Sequence, residues 1–125
     1  MLVATDLNGT LDAAPGQLGP LLRALRAAGH SVVVLSGVGH DTPDDPKEAF
    51  DVKVQQMIGL DVSDCWDSMV VFSIKDGPDL AAAKATTAKT LGVALFIDNN
   101  ADNAKAAVAI GIPMALVPQE TRVKN

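Results

Sequence analysis

The sequence predicts an α/β domain, a three-layer sandwich with one five-stranded parallel sheet and helices on both of its faces. Three observations lead there. Short apolar runs alternate with helix-periodic segments along the whole chain. The strand-like runs are apolar at consecutive positions, as in strands covered on both sides. With 125 residues, 48% of them apolar, and neither linker nor internal repeat, the chain fits a single domain over residues 1–125.

The elements follow in order. Residues 2–5 form the first apolar run. Leu18, Leu21, Leu22 and Leu25 recur at helical spacing, and Gly29 sits where a helix-stopping glycine belongs. Residues 31–35 (Ser-Val-Val-Val-Leu) read as a strand buried on both faces, ending at Ser36-Gly37. Asp45-Pro46-Lys47-Glu48 places an acid at the N-cap, Pro at N1 and Glu at N3, so a second helix starts there. Phe50, Val54, Met57 and Ile58 are its expected apolar face. Residues 59–67 are irregular, and residues 69–72 are a third, buried strand. Residues 75–78 turn into a third helix with Leu80, Ala83, Thr87 and Leu91 on one side, closed by Gly92. Residues 93–97 form the fourth strand, ending at Asp98. An Ala-rich helix over 101–110 stops at Gly111, residues 114–117 form the fifth strand, and the polar tail 119–125 is expected to fray.

Composition removes several functions. Aromatics are 3% of the chain and Tyr is absent, so the stacking platforms of a single-strand or RNA binder are missing. A net charge of −5 gains nothing from counterion release, which argues against nucleic acid as a main partner. The one cysteine, Cys65, can build neither an internal disulfide nor a zinc cluster and reads as a small buried hydrophobe. The first strand leaves no room for a leader, and the longest apolar stretch, 106–117, is broken by Gly111 and Pro113. A soluble, cytoplasmic protein without membrane contact is expected.

Polar residues cluster where strands end. Asp6 ends the first, Ser36 the second, Lys75 lies just past the third, and Asp98 ends the fourth, with Asp102 one helical turn on. All belong to the carboxyl edge, where open α/β sheets bind ligands. Carboxylates at 6, 98 and 102 suit a hard cation such as Mg²⁺, which needs only one or two direct carboxylates. Lys75 offsets the clustered negative charge, and the Ser36 hydroxyl can donate to a phosphoryl oxygen.

These segments resemble the haloacid dehalogenase superfamily of phosphohydrolases. Asp6-Leu7-Asn8-Gly9-Thr10-Leu11 resembles its first motif, and residues 32–37 its second. Lys75 is similar to its third-motif lysine, and residues 96–102 with Gly111-Ile112-Pro113 resemble its fourth. The resemblance implies a Rossmannoid, capless phosphatase. Asp6 would be the nucleophile, and Asp6, Asp98, Asp102 and the Asn8 carbonyl would surround Mg²⁺. Ser36 and Lys75 would orient a phosphorylated substrate. Lys84 is a substitute for Lys75, expected rather at the surface. Asn8 stands where the family's phosphatases carry an acid–base aspartate, so turnover is expected to be slow; general acid–base help is worth roughly 10²–10⁴-fold.

The loops leave no space for a cap. Residues 12–19 precede the first helix, and specificity is expected from the segments after Ser36 and over 61–66. A homo-oligomer or protein partner stays open. A receiver domain is the weaker match, because its phosphate-accepting aspartate follows the third strand. The other class is an inert binding or assembly module on the same scaffold, suggested by Asn8, Asn99 and Asn100 in place of carboxylates.

Overall fold

The computed structural model describes residues 1–38, 42–73 and 79–117. Lys75 and the tail expected to fray lie outside the described residues. The order is β1 (Leu2–Thr5), α1 (Pro15–Ala27), β2 (Ser31–Gly37), α2 (Pro46–Gly59), β3 (Ser68–Phe72), α3 (Leu80–Leu91), β4 (Val93–Asp98), α4 (Ala101–Ala109) and β5 (Met114–Leu116).

The sheet runs β3-β2-β1-β4-β5, and its strand pairs are parallel. The chain winds outward from β1 to β3, then crosses back to place β4 beside β1. That reversal is a topological switch point, and it lies between the strands that end at Asp6 and Asp98.

Strand alternation sorts the core into two halves. Val3, Val32, Val34 and Ile97 pack with Leu18 and Leu22 of α1 and Met57 of α2. Ala4, Val33, Leu35 and Phe96 pack with Ala85 and Ala88 of α3 and Ala107 of α4. Each central strand therefore buries both faces, as its unbroken apolar run requires. β3 departs from expectation: as an edge strand, its residues 69–71 are only half-buried.

Two helices turn differently from the expected faces. α2 buries Ala49, Lys53 and Met57, while Ile58 is 52% exposed. α3 buries Lys84, Ala85 and Ala88, and Leu91 is exposed. In both, a lysine occupies the apolar stripe, so hydrophobicity alone misplaces the stripe. The helix start at Asp45 is as expected, its carboxylate accepting from Lys47 N at 3.2 Å.

The irregular segment 60–67 is clamped to α1. Arg23 meets Asp64 at 2.9 Å and Arg26 meets Asp67 at 2.8 Å. Asp67 also accepts from Val32 N, and Arg26 with this amide holds its carboxyl below the usual range. Trp66 packs edge-on to Phe50. Cys65 is buried and free, and burial pushes its thiol pKa up.

Candidate functional site

β1 and β4 are in register at Ala4 and Phe96, so Asp6 and Asp98 lie one residue pair beyond the last ladder partners, Thr5 and Ile97. Two-residue periodicity puts both carboxylates on the α3/α4 side, in the same columns as Ala4 and Phe96. Asp6 N donates to Ile97 O at 2.9 Å, which ties the two strand ends together.

Into this pair reaches Lys84 of α3. Its Nζ lies 2.9 Å from Asp6 Oδ1 and 3.8 Å from Asp98 Oδ2. All three are buried: Asp6 is 5% exposed, Lys84 3% and Asp98 0%. Asp6 Oδ2 accepts from Thr10 Oγ1 at 3.3 Å. Asp98 accepts from Asn100 N at 3.0 Å and Asn103 Nδ2 at 2.9 Å. Burial raises the Asp6 pKa to about 6; the Lys84 charge opposes the rise and Asp98 adds to it. Burial therefore outweighs the ammonium at contact distance.

The turn after Asp6 is built by Gly9. Its φ of +78° is a conformation that side-chain-bearing residues avoid. A Cβ there would meet Asn99 Nδ2 at 2.5 Å. The close approach lets the Thr10 hydroxyl lie between two acceptors, Asp6 Oδ2 at 3.3 Å and Asn99 Oδ1 at 3.1 Å, which share its one proton. Opposite, Asn100 caps α4 by accepting from the amides of Asp102 and Asn103.

A cavity of about 260 Å³ opens beside Asp6 and Lys84, lined also by Asn8, Asn99, Asn100 and Asn103 and by Gly37, Val38 and Leu80. Its lining is dominated by amide and charged groups, and its size suits a small ligand or a ligand's charged end.

The rim thus brings Asp6 and Asp98 together through Lys84, and Asn8 joins Asp6 in the cavity wall, but not every expected residue joins them. Asp102 is exposed, and the residue that turns toward Asp98 is Asn103. Ser36 is buried on the opposite, α1/α2 side of the sheet, sharing its column with Val32 and Val34. Lys84, expected at the surface, is the lysine that meets Asp6. Segment 61–66, expected to hold specificity, lines no part of the cavity. Lys84 was detectable: Leu80, Lys84 and Ala88 share an i, i+4 row.

The donor set bears on whether Mg²⁺ fits. Among the described residues no three His, Cys, Asp or Glu side chains converge on one point. A zinc-type cage of three or four protein ligands is therefore absent among them. The arrangement fits an ion that keeps several waters and uses one or two carboxylates. Asp6 and Asp98 qualify, since their oxygens accept few hydrogen bonds and retain lone pairs.

Among the described residues no helix is long and apolar enough to cross a membrane. No family model matches the chain, and no curated protein matches it. Solved structures do. A protein of the universal stress protein family from Burkholderia pseudomallei is 18% identical, with 94% of this chain and 95% of that chain covered and a TM-score of 0.61. A universal stress protein from Archaeoglobus fulgidus is 14% identical, with 93% and 92% covered and the same TM-score. At these identities the likeness concerns the fold. It supports the α/β architecture with a five-stranded parallel sheet, and it overturns the expected membership of the haloacid dehalogenase superfamily. The hydrolase and phosphatase assignment, the aspartyl-phosphate on Asp6 and the inert module on that family's scaffold are withdrawn with it. The physical reason is general: a doubly wound sheet gathers polar strand-end residues on one rim in any family, so four short motifs report the rim and not the chemistry.

Proposed function

We propose that the chain binds a small anionic ligand together with a divalent cation, Mg²⁺ being the fitting one, in the cavity at the β1/β4 switch point. The observation that carries this reading is the buried Asp6–Lys84–Asp98 cluster beneath that cavity. Folding gains little from such a cluster: ions leave water at a cost of several kcal/mol each, and a buried ion pair is often no more stable than apolar packing. Its retention at the place where open sheets take ligands is accounted for by binding.

Charge decides the ligand class. Above the Asp6 pKa of about 6, two carboxylates face one ammonium, leaving one excess negative charge. A divalent cation held by Asp6 and Asp98, with Asn8 at the cavity wall, reverses that sign and admits an anion. When bound, the ion supplies positive charge to ligand oxygens. The chain's own groups then do the rest. Lys84 holds both carboxylates in place, and the amides of Asn99, Asn100 and Asn103 line the cavity as neutral donors and acceptors.

Isothermal titration of Mg²⁺ and Mn²⁺ into wild type and Asp98→Asn tests the reading. Saturable binding in wild type, weakened about tenfold or more in the variant, supports it. No saturable binding, or equal binding in both, overturns it.

A further inference from the structure

The cavity has two chemically different sides, and the sheet order separates them. Gly37 and Val38 come from the end of β2, whereas Asn99 and Asn100 follow the end of β4. β1, which leads into Asp6, lies between those two strands. The amide groups therefore stand on the β4 side of Asp6. On the β2 side stand a bare backbone, at Gly37, and an aliphatic side chain, Val38. Leu80 belongs to the β2 side as well, because it lies against Gly37: a Cβ at position 37 would meet Leu80 Cδ2 at 3.0 Å and Cδ1 at 3.5 Å.

Both aliphatic groups are anchored, and neither is fully covered. Leu80 packs against the core half that holds Leu35, Phe72 and Ala85. Val38 N donates to Phe72 O at 3.1 Å, which carries the β2–β3 pairing one residue past Gly37. Yet Val38 and Leu80 are only half-buried where they line the cavity. Leu80 also precedes Lys84 by four residues, so the two share one row of α3, about 6 Å apart along its axis. An aliphatic surface thus begins one helical turn from the ammonium that meets Asp6. An inorganic oxyanion, polar on every side, would leave that surface in water, whereas a ligand carrying an alkyl group would cover it.

We propose that the ligand of this cavity is an amphipathic organic anion, its charged head at the cation-bearing Asp6–Lys84–Asp98 cluster and a short aliphatic group lying on Val38, Leu80 and the Gly37 backbone. The inference rests on the ligand reading above and adds the ligand's second half, with Val38 and Leu80 as the residues that select it. The shared chemistry is an oxyanion on a chain of a few carbons, whether the head is a phosphonate, a phosphate or a carboxylate.

The test titrates two series into the Mg²⁺-loaded full chain, methyl- to butylphosphonate and acetate to pentanoate. Wild type, Leu80→Ala and Val38→Thr are compared, with Mg²⁺ affinity measured independently for each. In at least one series wild-type affinity should rise about twofold to fourfold per added methylene, or about tenfold or more from the shortest member to the longest. Leu80→Ala should flatten that rise while the shortest member and Mg²⁺ keep their wild-type affinities. A purely structural role for Leu80 would instead shift all chain lengths alike. Val38→Thr, nearly unchanged in volume but carrying a hydroxyl, should reduce the rise in the same way and serves should Leu80→Ala not fold. Wild-type affinity that ignores chain length overturns the inference, as does a rise that persists unchanged in the variants, an equal shift at every chain length, or a wild type that binds neither series. If Mg²⁺ itself fails to bind wild type, the ligand reading falls as well; if Mg²⁺ binds and only the chain-length result fails, this inference alone falls.

Discussion

Replacing Asp6 by Asn should stabilise the protein near neutral pH and do so progressively less in acid. Asp6 is 5% exposed and titrates at about 6, against 3.8 for an ordinary aspartate. Below pH 3.8 both folded and unfolded chains carry the proton, and the shift contributes nothing. Between 3.8 and about 6 the folded chain keeps a proton that the unfolded chain has released, so stability falls as pH rises. Above that window the full cost remains. At about 1.4 kcal/mol per pH unit, the interval amounts to about 3 kcal/mol. The amide that replaces the carboxyl does not titrate, and Lys84 keeps Asp98 as a partner at 3.8 Å. The advantage of Asp6→Asn over wild type should therefore grow by about 3 kcal/mol between about pH 4 and about pH 7.5. For a chain of this length that is a relative gain in Tm of about 10 °C. Urea denaturation of both proteins across that range, with EDTA present and equal m values checked, measures it. Parallel pH profiles would rule out a burial-raised Asp6. An advantage that shrinks with pH would show that the Lys84 ammonium, not burial, sets the Asp6 charge.

Three further outcomes follow from the same geometry. Lys84→Met leaves two buried carboxylates without their shared cation and should cost about 3–5 kcal/mol at neutral pH; because burial raises the Asp6 pKa and the Lys84 charge holds it down to about 6, loss of that charge lets Asp6 keep a proton to higher pH, so the cost should shrink as the pH falls from neutral toward about 6, and urea melts at two pH values read it. Gly9→Ala must hold a Cβ at φ +78° against Asn99, and should lose about 1–2 kcal/mol from the backbone alone, with Asn99→Ala in the same chain recovering only the steric part in a thermal melt. Asn100→Ala removes the cap that accepts from Asp102 N and Asn103 N; it should destabilise by about 1 kcal/mol and speed amide exchange in the first turn of α4.

Much of the fold was legible because its signals are local. The β-branched run 31–35 and the alternating helices required a parallel sheet, and Asp6 and Asp98 were placed on its rim by strand ends alone. What escaped were the two buried lysines. A lysine in an apolar stripe lowers the apparent amphipathicity of its own helix, so α2 and α3 were assigned faces without Lys53 and Lys84. The signal was present in spacing: Ala49, Lys53 and Met57, like Lys84 and Ala88, stand four residues apart. Asp102 and Asn103 show the converse limit. Adjacent positions at a helix start point about 100° apart, and only coordinates reveal that Asn103 faces Asp98. The family assignment failed for another reason. Its motifs are strand-end residues, which the doubly wound sheet brings together irrespective of chemistry.

If the Asp6–Lys84–Asp98 cluster is a cation-assisted ligand site, Mn²⁺ must settle beside it. Paramagnetic broadening of amide resonances by Mn²⁺ reads this residue by residue. Broadening should be confined at low Mn²⁺ to residues 6–9 and 98–103, reversed by excess Mg²⁺ and absent in Asp98→Asn. Broadening spread over the exposed acidic residues, or persisting unchanged in that variant, would place the cation elsewhere and leave the cluster without its proposed role.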